Sequence, residues 1–274
     1  MRAAMSADEY SYLQRLVLQR TSNVLDPGTI GTTHMRLTPI LAREGLATVS
    51  DLVNRLRQTP HGPLHLSVLD SLMVQESSFF RDPPVWEALR DHILPTRIRA
   101  AGRRPFRVWN GATALGQEPW STAMLLKRWF YTGEQTFQIL STDISERALA
   151  YAKAGRYSQM EVSRGMSPDL LQRFFRADGT AYTIVPDIRP MLTFRTQNLC
   201  ADWPALGQFD LILMRNVLYY FDQSQRKSVL DRACALLAPN GVLILGAGEI
   251  ATHTPPGCAP TRFADVPAIV AEQK

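Results

Sequence analysis

The stretch that most constrains this chain runs from Phe106 to Ser121. It is a short apolar strand, then a turn marked by Gly111 and Gly116, then a helix that takes Pro119 in its first turn. Proline is tolerated there because the N–H it lacks would have no intrahelical partner. A strand passing through a glycine-bearing turn into a helix builds a crevice at the carboxyl edge of an open α/β sheet, where bare backbone lies close to a ligand. Two glycines alone are weak evidence. Asp143 strengthens them, because it ends the next apolar run, 137–142, after an intervening helix. An acid at that position can accept hydrogen bonds from both hydroxyls of a ribose. The spacing points to a nucleoside-containing cofactor, with Gly111 and Ala112 on the loop beside it.

Beyond residue 106, strand and helix patterns alternate, which predicts a parallel sheet with helices on both faces. Strands are expected at 106–110, 137–142, about 191–196, 209–214 and 242–247, with a last one near 268–271. Ser145 and Ser167-Pro168 read as helix starts and Asn240-Gly241 as a helix stop. A short extra strand over Tyr182–Val185 suggests a small antiparallel insert near 179–190. Residues 1–74 read as helices. Tyr10, Leu13, Leu16 and Val17 form one stripe, and Leu66, Leu69, Leu72 and Met73 another; Thr48–Asp51 is a capping box ahead of Leu52, Val53 and Leu56. Pro39 either kinks its helix or, with Thr38 as N-cap, restarts it. The linker 75–105 opens with Gln75–Asp82. Its large apolar anchors Phe79 and Phe80 distinguish it from a flexible Gly/Ser-rich or Pro-rich linker. Asp82-Pro83-Pro84 then starts a helix carrying Trp86, Leu89 and Ile93 on one face.

A length of 274 residues with 45% hydrophobic content allows one substantial core and a small second domain. No run of about 18 apolar residues offers a spanning helix, and the first residues lack the apolar core of a signal peptide, so a cytoplasmic protein without membrane insertion is expected. Cys200, Cys234 and Cys258 are odd in number and far apart in sequence, which suits neither a disulfide framework nor a zinc site. His34, His61, His65, His92 and His253 are isolated, so no metal is expected. Residues 1–107 hold fourteen arginines, no lysine and ten acidic residues within a chain of net charge +5. That bias favours an acidic partner. With no basic run interleaved with aromatics, nucleic acid is not expected.

The apolar run 209–214 ends in Arg215-Asn216, delivering polar groups to the same sheet edge as Gly111 and Asp143. Tyr220 follows; it reads equally as a hydroxyl at the crevice or as a core aromatic. Several strings together, in order and spacing, resemble the CheR-type chemotaxis receptor methyltransferases, S-adenosylmethionine-dependent protein-glutamate O-methyltransferases. They are Phe79-Phe80-Arg81-Asp82, the loop 109–121 with its Gly-Gln-Glu-Pro, Ser141-Thr142-Asp143-Ile144, Gln197-Asn198-Leu199, Arg215–Asp222 and Gly246-Ala247-Gly248-Glu249. The resemblance implies a class I methyltransferase domain with a Rossmann-like sheet over 75–274, preceded by a small all-α recognition domain over 1–74. It implies that Gln75, Ser77 and Arg81 contact the cofactor from the linker, and that Glu118 and Asp143 hold its amino-acid and ribose parts. Asn198, Leu199, Arg215 and Asn216 would surround adenine and the sulfonium side. Arg81 and Tyr220 would lie nearest the methyl group and the incoming glutamate, while Arg36 and Arg43 would face acidic receptor helices. No metal is implied.

Some positions depart from the family's pattern. Gln75 replaces a usual Asn, Thr113-Ala114-Leu115 a triplet of small residues, and Ile30 a common Lys. The short segment 179–190 lacks the glycine-rich insert of members that dock a tethering peptide, so no tether is expected. A glutamate, with an ordinary pKa of about 4.3, is already ionised at pH 7 and needs no general base. Two other readings stay open from the residues alone: a non-catalytic regulator keeping the fold and binding S-adenosylmethionine or its product S-adenosylhomocysteine, and a methyltransferase acting on a small molecule or RNA. The helical, Arg-bearing N-terminal region fits a helical protein target better than either small molecule or RNA.

Overall fold

The computed structural model describes residues 5–249 and 253–272. The chain divides into two compact units, Met1–Val74 with Tyr220–Gln225, and Gln75–Tyr219 with Arg226–Lys274. The first unit is helical: α1 (Ala7–Thr21), α2 (Ile30–Glu44), α3 (Val49–Gln58) and α4 (Pro63–Leu72). Ser6 with Glu9, and Thr48 with Asp51, form reciprocal capping boxes that satisfy the orphan amides starting α1 and α3. The core joins Tyr10, Leu13 and Val17 to Leu37, Leu41, Leu52, Leu56, Val68 and Leu72. Pro39 sits inside an unbroken α2, so the helix does not restart there. Of the expected α4 stripe, Leu69 and Leu72 are buried and Leu66 is 53% exposed; His65 and Val68 are buried with them. A leucine was the natural guess for the inner face, but His65 takes it by bonding through Nε2 to Leu56 O at 3.1 Å.

The second unit starts with helices α5 (Pro83–Ala88) and α6 (Leu94–Ala101), joined by a π turn over Leu89–Ile93 in which Leu94 N–H donates to Leu89 O, five residues back. Pro95 causes the irregularity: it has no N–H to give and its ring crowds the preceding carbonyls, which a wider turn relieves. Then follow β1 (Phe106–Gly111), α7 (Gln117–Trp129), β2 (Phe137–Asp143), α8 (Glu146–Ala154), β3 (Arg156–Ser158), α9 (Gln159–Ser163), α10 (Pro168–Phe174), β4 (Phe175–Asp178) and β5 (Ala181–Ile184). The remainder is β6 (Leu192–Thr196), β7 (Phe209–Met214), α11 (Gln223–Ala235), β8 (Leu237–Leu245), β9 (Cys258–Phe263) and β10 (Val266–Ala271). Seven strands form one sheet in the order β6-β2-β1-β7-β8-β10-β9. The five from β6 to β8 run parallel, and β10 pairs antiparallel with β8 and β9. Its parallel part is what the alternating pattern predicts, and the whole is the class I methyltransferase sheet that the resemblance implies. Its central strand β7 is buried at every residue, as a strand covered on both faces must be.

Phe79 is fully buried in that core, edge-on to Tyr157 and Phe175 at 5.0 and 5.6 Å, and Phe80 stands edge-on to Trp86 at 5.1 Å. The linker is thus anchored by packing. Ser145 and Ser167 cap α8 and α10 as expected. The antiparallel insert is a three-stranded sheet, β3-β5-β4, which begins at Arg156 and so is larger than 179–190. Asn240-Gly241 does not stop a helix: α11 ends at Ala235 and the pair lies inside β8. There Asn240 takes φ 61° and the register with β7 jumps, Phe209 facing Leu237 and Leu211 facing Val242. The crossover from β6 to β7, residues 197–208, carries no helix. Trp203 covers Trp109 there, ring centroids 4.9 Å apart.

Candidate functional site

β1 ends in Asn110-Gly111, and the chain then turns through Ala112 (φ 58°), Ala114 (φ 49°) and Gly116 (φ 92°) into α7. Two alanines in the left-handed region are costly, and the turn is held by bonds to the neighbouring strand. Thr113 N–H donates to Thr142 O at 2.9 Å and Ala114 N–H to Asp143 Oδ2 at 2.8 Å. The other oxygen of Asp143 accepts from Ser145 N–H at 2.9 Å. Asp143 is buried beneath the turn, at the carboxyl end of β2. Gln197 N–H donates to Asp143 O at 2.9 Å, which brings Asn198 and Leu199 to the same edge; Asn198 Oδ1 accepts from Cys200 N–H at 2.8 Å.

The bareness of the two loop glycines is used by protein. A Cβ on Gly116 would lie 2.5 Å from Ala152 Cβ and 2.9 Å from Tyr157 Oη, so α7 and α8 meet there closer than any side chain permits. A Cβ on Gly111 would meet Met214 Cε at 3.2 Å and Leu199 Cδ2 at 3.7 Å. The Tyr157 hydroxyl donates to Leu115 O at 2.8 Å, and burial pushes its pKa well above the usual phenol value, so it remains a donor under the turn. Leu115 is thereby fixed by its carbonyl.

β7 ends in Arg215, whose side chain is 1% exposed. Its guanidinium donates to Glu118 Oε2 at 2.7 Å, to Arg81 O at 3.0 Å and to Asp82 Oδ2. A buried arginine needs such partners, and a carboxylate on each side of the fork supplies them. The cluster ties the linker, the start of α7 and the end of β7 together. Glu118 Oε1 accepts from Asn110 Nδ2 at 3.3 Å, while Asn110 Oδ1 is buried with no donor. Arg81 is held by its backbone, its carbonyl also accepting from Trp86 Nε1 at 2.8 Å. The Arg81 guanidinium makes no hydrogen bond or ion pair among the described residues and is half-buried. Gln75 Oε1 accepts from Arg147 Nη2 at 3.1 Å and its Nε2 is buried without a partner; Ser77 is half-buried on the same extended segment.

Asn216 follows at φ 59°. Its N–H donates at 2.7 Å to Glu249 Oε2, which also accepts from Gly246 N–H at 2.8 Å, while Glu249 Oε1 accepts from Leu218 N–H at 2.6 Å. Glu249 is absent from the residues the sequence singled out for the site. Its signal was an acid three residues beyond Gly246, the glycine that follows a buried strand.

Tyr220 groups with the helical unit, where its carbonyl accepts from Val24 N–H at 2.8 Å. In that unit Arg36 and Arg43 are exposed on α2, Arg36 donating to Leu72 O at 3.0 Å and Arg43 paired with Glu44 at 3.0 Å. Cys234 and Cys258 are free and buried, and burial raises the pKa of each. Among the described residues no histidine, cysteine and acid grouping could hold a metal ion.

Chemically, the edge offers Asn110 Oδ1 and Glu118 Oε1 as adjacent acceptors for a cationic amino group. Asp143 offers an acid for a sugar diol, and Leu199 with Met214 an apolar wall. The acceptor set fits an amino-acid-bearing nucleoside such as S-adenosylmethionine. A family model described as the CheR methyltransferase S-adenosylmethionine-binding domain matches residues 75–257. The chain is 35% identical to chemotaxis protein methyltransferase 1 of Pseudomonas aeruginosa, over 89% of this chain and 90% of that one. It is 33% identical to chemotaxis protein methyltransferase Cher2 of Pseudomonas putida over 80% and 82% of the two chains. With the chemotaxis protein methyltransferase of Escherichia coli the identity is 30%, over 92% and 87%.

Proposed function

The chain belongs to the CheR methyltransferase family, and on that premise we propose that it methylates glutamate side chains of chemoreceptors, giving methyl esters and S-adenosylhomocysteine. The observation that carries the reading is the unpartnered, buried Asn110 Oδ1 beside the Glu118 carboxylate, an acceptor pair that a cofactor ammonium satisfies. When bound, S-adenosylmethionine supplies a methyl group activated by its sulfonium. Asp143 accepts from the ribose hydroxyls while retaining the Ala114 amide. Asn198 and Leu199 border adenine, with Gln75, Ser77, Gly111 and Ala112 completing the cofactor's surroundings. Asn216 stands on the sulfonium side. Arg215 holds Glu118 and Asp82 through its terminal nitrogens, and its buried Nε, which has no partner among the described residues, remains for the cofactor.

An ionised glutamate is already a nucleophile, so the residues' task is alignment, with oxygen and methyl carbon about 3–3.5 Å apart and in line. Arg81 is assigned to orient that carboxylate, because its backbone is pinned and its fork makes no other bond. Tyr220 is assigned as a neutral donor to the same substrate. On α2, Arg36 and Arg43 are assigned to the acidic helical domain of a receptor, reached in the cytoplasm and without a tethering peptide. No helix among the described residues is long and apolar enough to cross a membrane.

The test is incubation with radiolabelled S-adenosylmethionine and a receptor cytoplasmic fragment. The expected result is base-labile label, released as methanol, that disappears when the receptor glutamates are changed to Gln and when Arg81→Ala is used. Label that is stable to base, or that survives loss of every receptor glutamate, overturns the glutamate reading. Cofactor binding by calorimetry without any transfer to receptors would instead mark the chain as a regulator.

A further inference from the structure

Glu249 is used by no step described so far, yet it is buried and its carboxylate is committed entirely to backbone amides at the carboxyl edge. Its two oxygens take three backbone N–H groups, from Asn216, Leu218 and Gly246, at 2.6 to 2.8 Å. Those amides belong to the ends of two neighbouring parallel strands, β7 and β8. Two of them flank the one residue of this loop in the left-handed region, Asn216 at φ 59°. A non-glycine residue stays there only when its surroundings over-determine it.

A second observation points to the same residue. A Cβ on Gly246 would lie 2.8 Å from Asn216 N, 2.8 Å from Asn216 Nδ2 and 2.7 Å from Glu249 Oε2. The bare face of Gly246 therefore seats both the backbone and the amide side chain of Asn216, and Glu249 N–H closes the turn on Gly246 O at 2.9 Å.

We infer that Glu249 is a positioning residue for the cofactor site: it holds the Arg215–Leu218 loop so that Asn216 presents its side chain to S-adenosylmethionine. The inference rests on the reading of Asn216 as a cofactor contact. A carboxylate is needed because both oxygens must accept. A carboxamide turns one of them into a donor that faces N–H groups, and an aspartate is one methylene too short to span both strands.

Calorimetric titration with S-adenosylhomocysteine on four proteins tests it: wild type, Glu249→Gln, Asn216→Gly and the double variant. Each single variant is expected to bind about tenfold more weakly, the size of one lost buried charge-assisted bond. Glycine adopts the left-handed conformation freely and lacks the amide, so in its presence Glu249 has nothing left to position. The double variant is therefore expected to lose no more than the weaker-binding single one. Wild-type affinity in Glu249→Gln, or losses that multiply to about a hundredfold, overturns the inference. Should Glu249→Gln fail to fold, amide hydrogen exchange on the wild type decides. Slow exchange at Asn216 and Leu218 supports the hold by Glu249, and exchange at the rate of a free loop overturns it. A wild type that does not bind S-adenosylhomocysteine removes the cofactor reading itself, while the exchange rates still report on Glu249.

Discussion

Two loops leave neighbouring strands at the same edge of the sheet, and both bend through left-handed, non-glycine residues, but they are held differently. The loop after β1 is held by a carboxylate that lies next to it in the fold and ends the adjacent strand: Asp143 takes one amide from Ala114 and one from Ser145. It is also wedged by packing, since Gly116 presses α7 onto Ala152 and Tyr157 of the following segment. The loop after β7 also has a close approach, Asn216 seated on the bare face of Gly246, but no helix pressed onto it. Its acceptor, Glu249, lies 33 residues along the chain from Asn216 and gives its two oxygens to three amides. In the proposed function the first acid would divide its lone pairs between the loop and a ligand; the second is committed to the backbone. Strain at such an edge can thus be offset by an acid reinforced by helix-on-helix packing, or by an acid given wholly to backbone amides over a bare glycine.

The contrast can be broken at several points. The largest effect is expected for Gly116→Ala, where a left-handed φ and a 2.5 Å approach combine; we expect a loss of stability of ~3 kcal/mol by urea unfolding. An unchanged midpoint would mean that packing does not hold the first loop. Asp143→Ala removes the ribose acceptor and the Ala114 anchor together, and S-adenosylhomocysteine affinity should fall by about a hundredfold, ~2.7 kcal/mol, in calorimetry. A fall no greater than that of Glu249→Gln would erase the distinction between a shared and a dedicated acid. Ser145→Ala deletes only the cap of α8, whose Oγ accepts from Ala148 N–H at 3.0 Å. It should cost ~1 kcal/mol of thermal stability and leave affinity within about twofold. The smallest effect belongs to Ala114→Gly. Relief of the left-handed strain is mostly cancelled by the freer unfolded chain, and the net stability change should stay within ~0.5 kcal/mol by the same unfolding assay.

The first loop was legible from sequence for the same reason that it is locally built. Gly111, Gly116 and Asp143 fall within one strand-helix-strand unit, and their spacing draws the crevice, while Glu118 entered only with the family resemblance. Glu249 was not legible as an anchor, because its partner is reached only when β7 and β8 become neighbours. Sequence also did not show what the glycines' bare faces meet: the reading of backbone near a ligand was reasonable, and the structure puts Ala152 and Met214 there. Asn240-Gly241 failed for a different reason. The dipeptide that ends a helix in the left-handed conformation serves equally to bend a strand, and only the pairing of β8 with β7 separates the two. The α4 stripe failed at Leu66 because a histidine with a carbonyl partner competes successfully for an inner position. What survived best was the long alternation of strand and helix patterns after residue 106, since a buried parallel sheet leaves few alternatives for runs as apolar as 209–214.

The outermost place of β6 has a consequence for how the protein behaves in a crowded solution. An edge strand carries a row of backbone donors and acceptors that another chain can copy, which is the starting point of strand-by-strand association. β6 is only five residues long, and Thr193, Arg195 and Thr196 on it are exposed. A second molecule aligning there would find a short template and would have to bring its own strand against an arginine. The same short, polar strand that completes one side of the cofactor-bearing sheet therefore also keeps that sheet from growing.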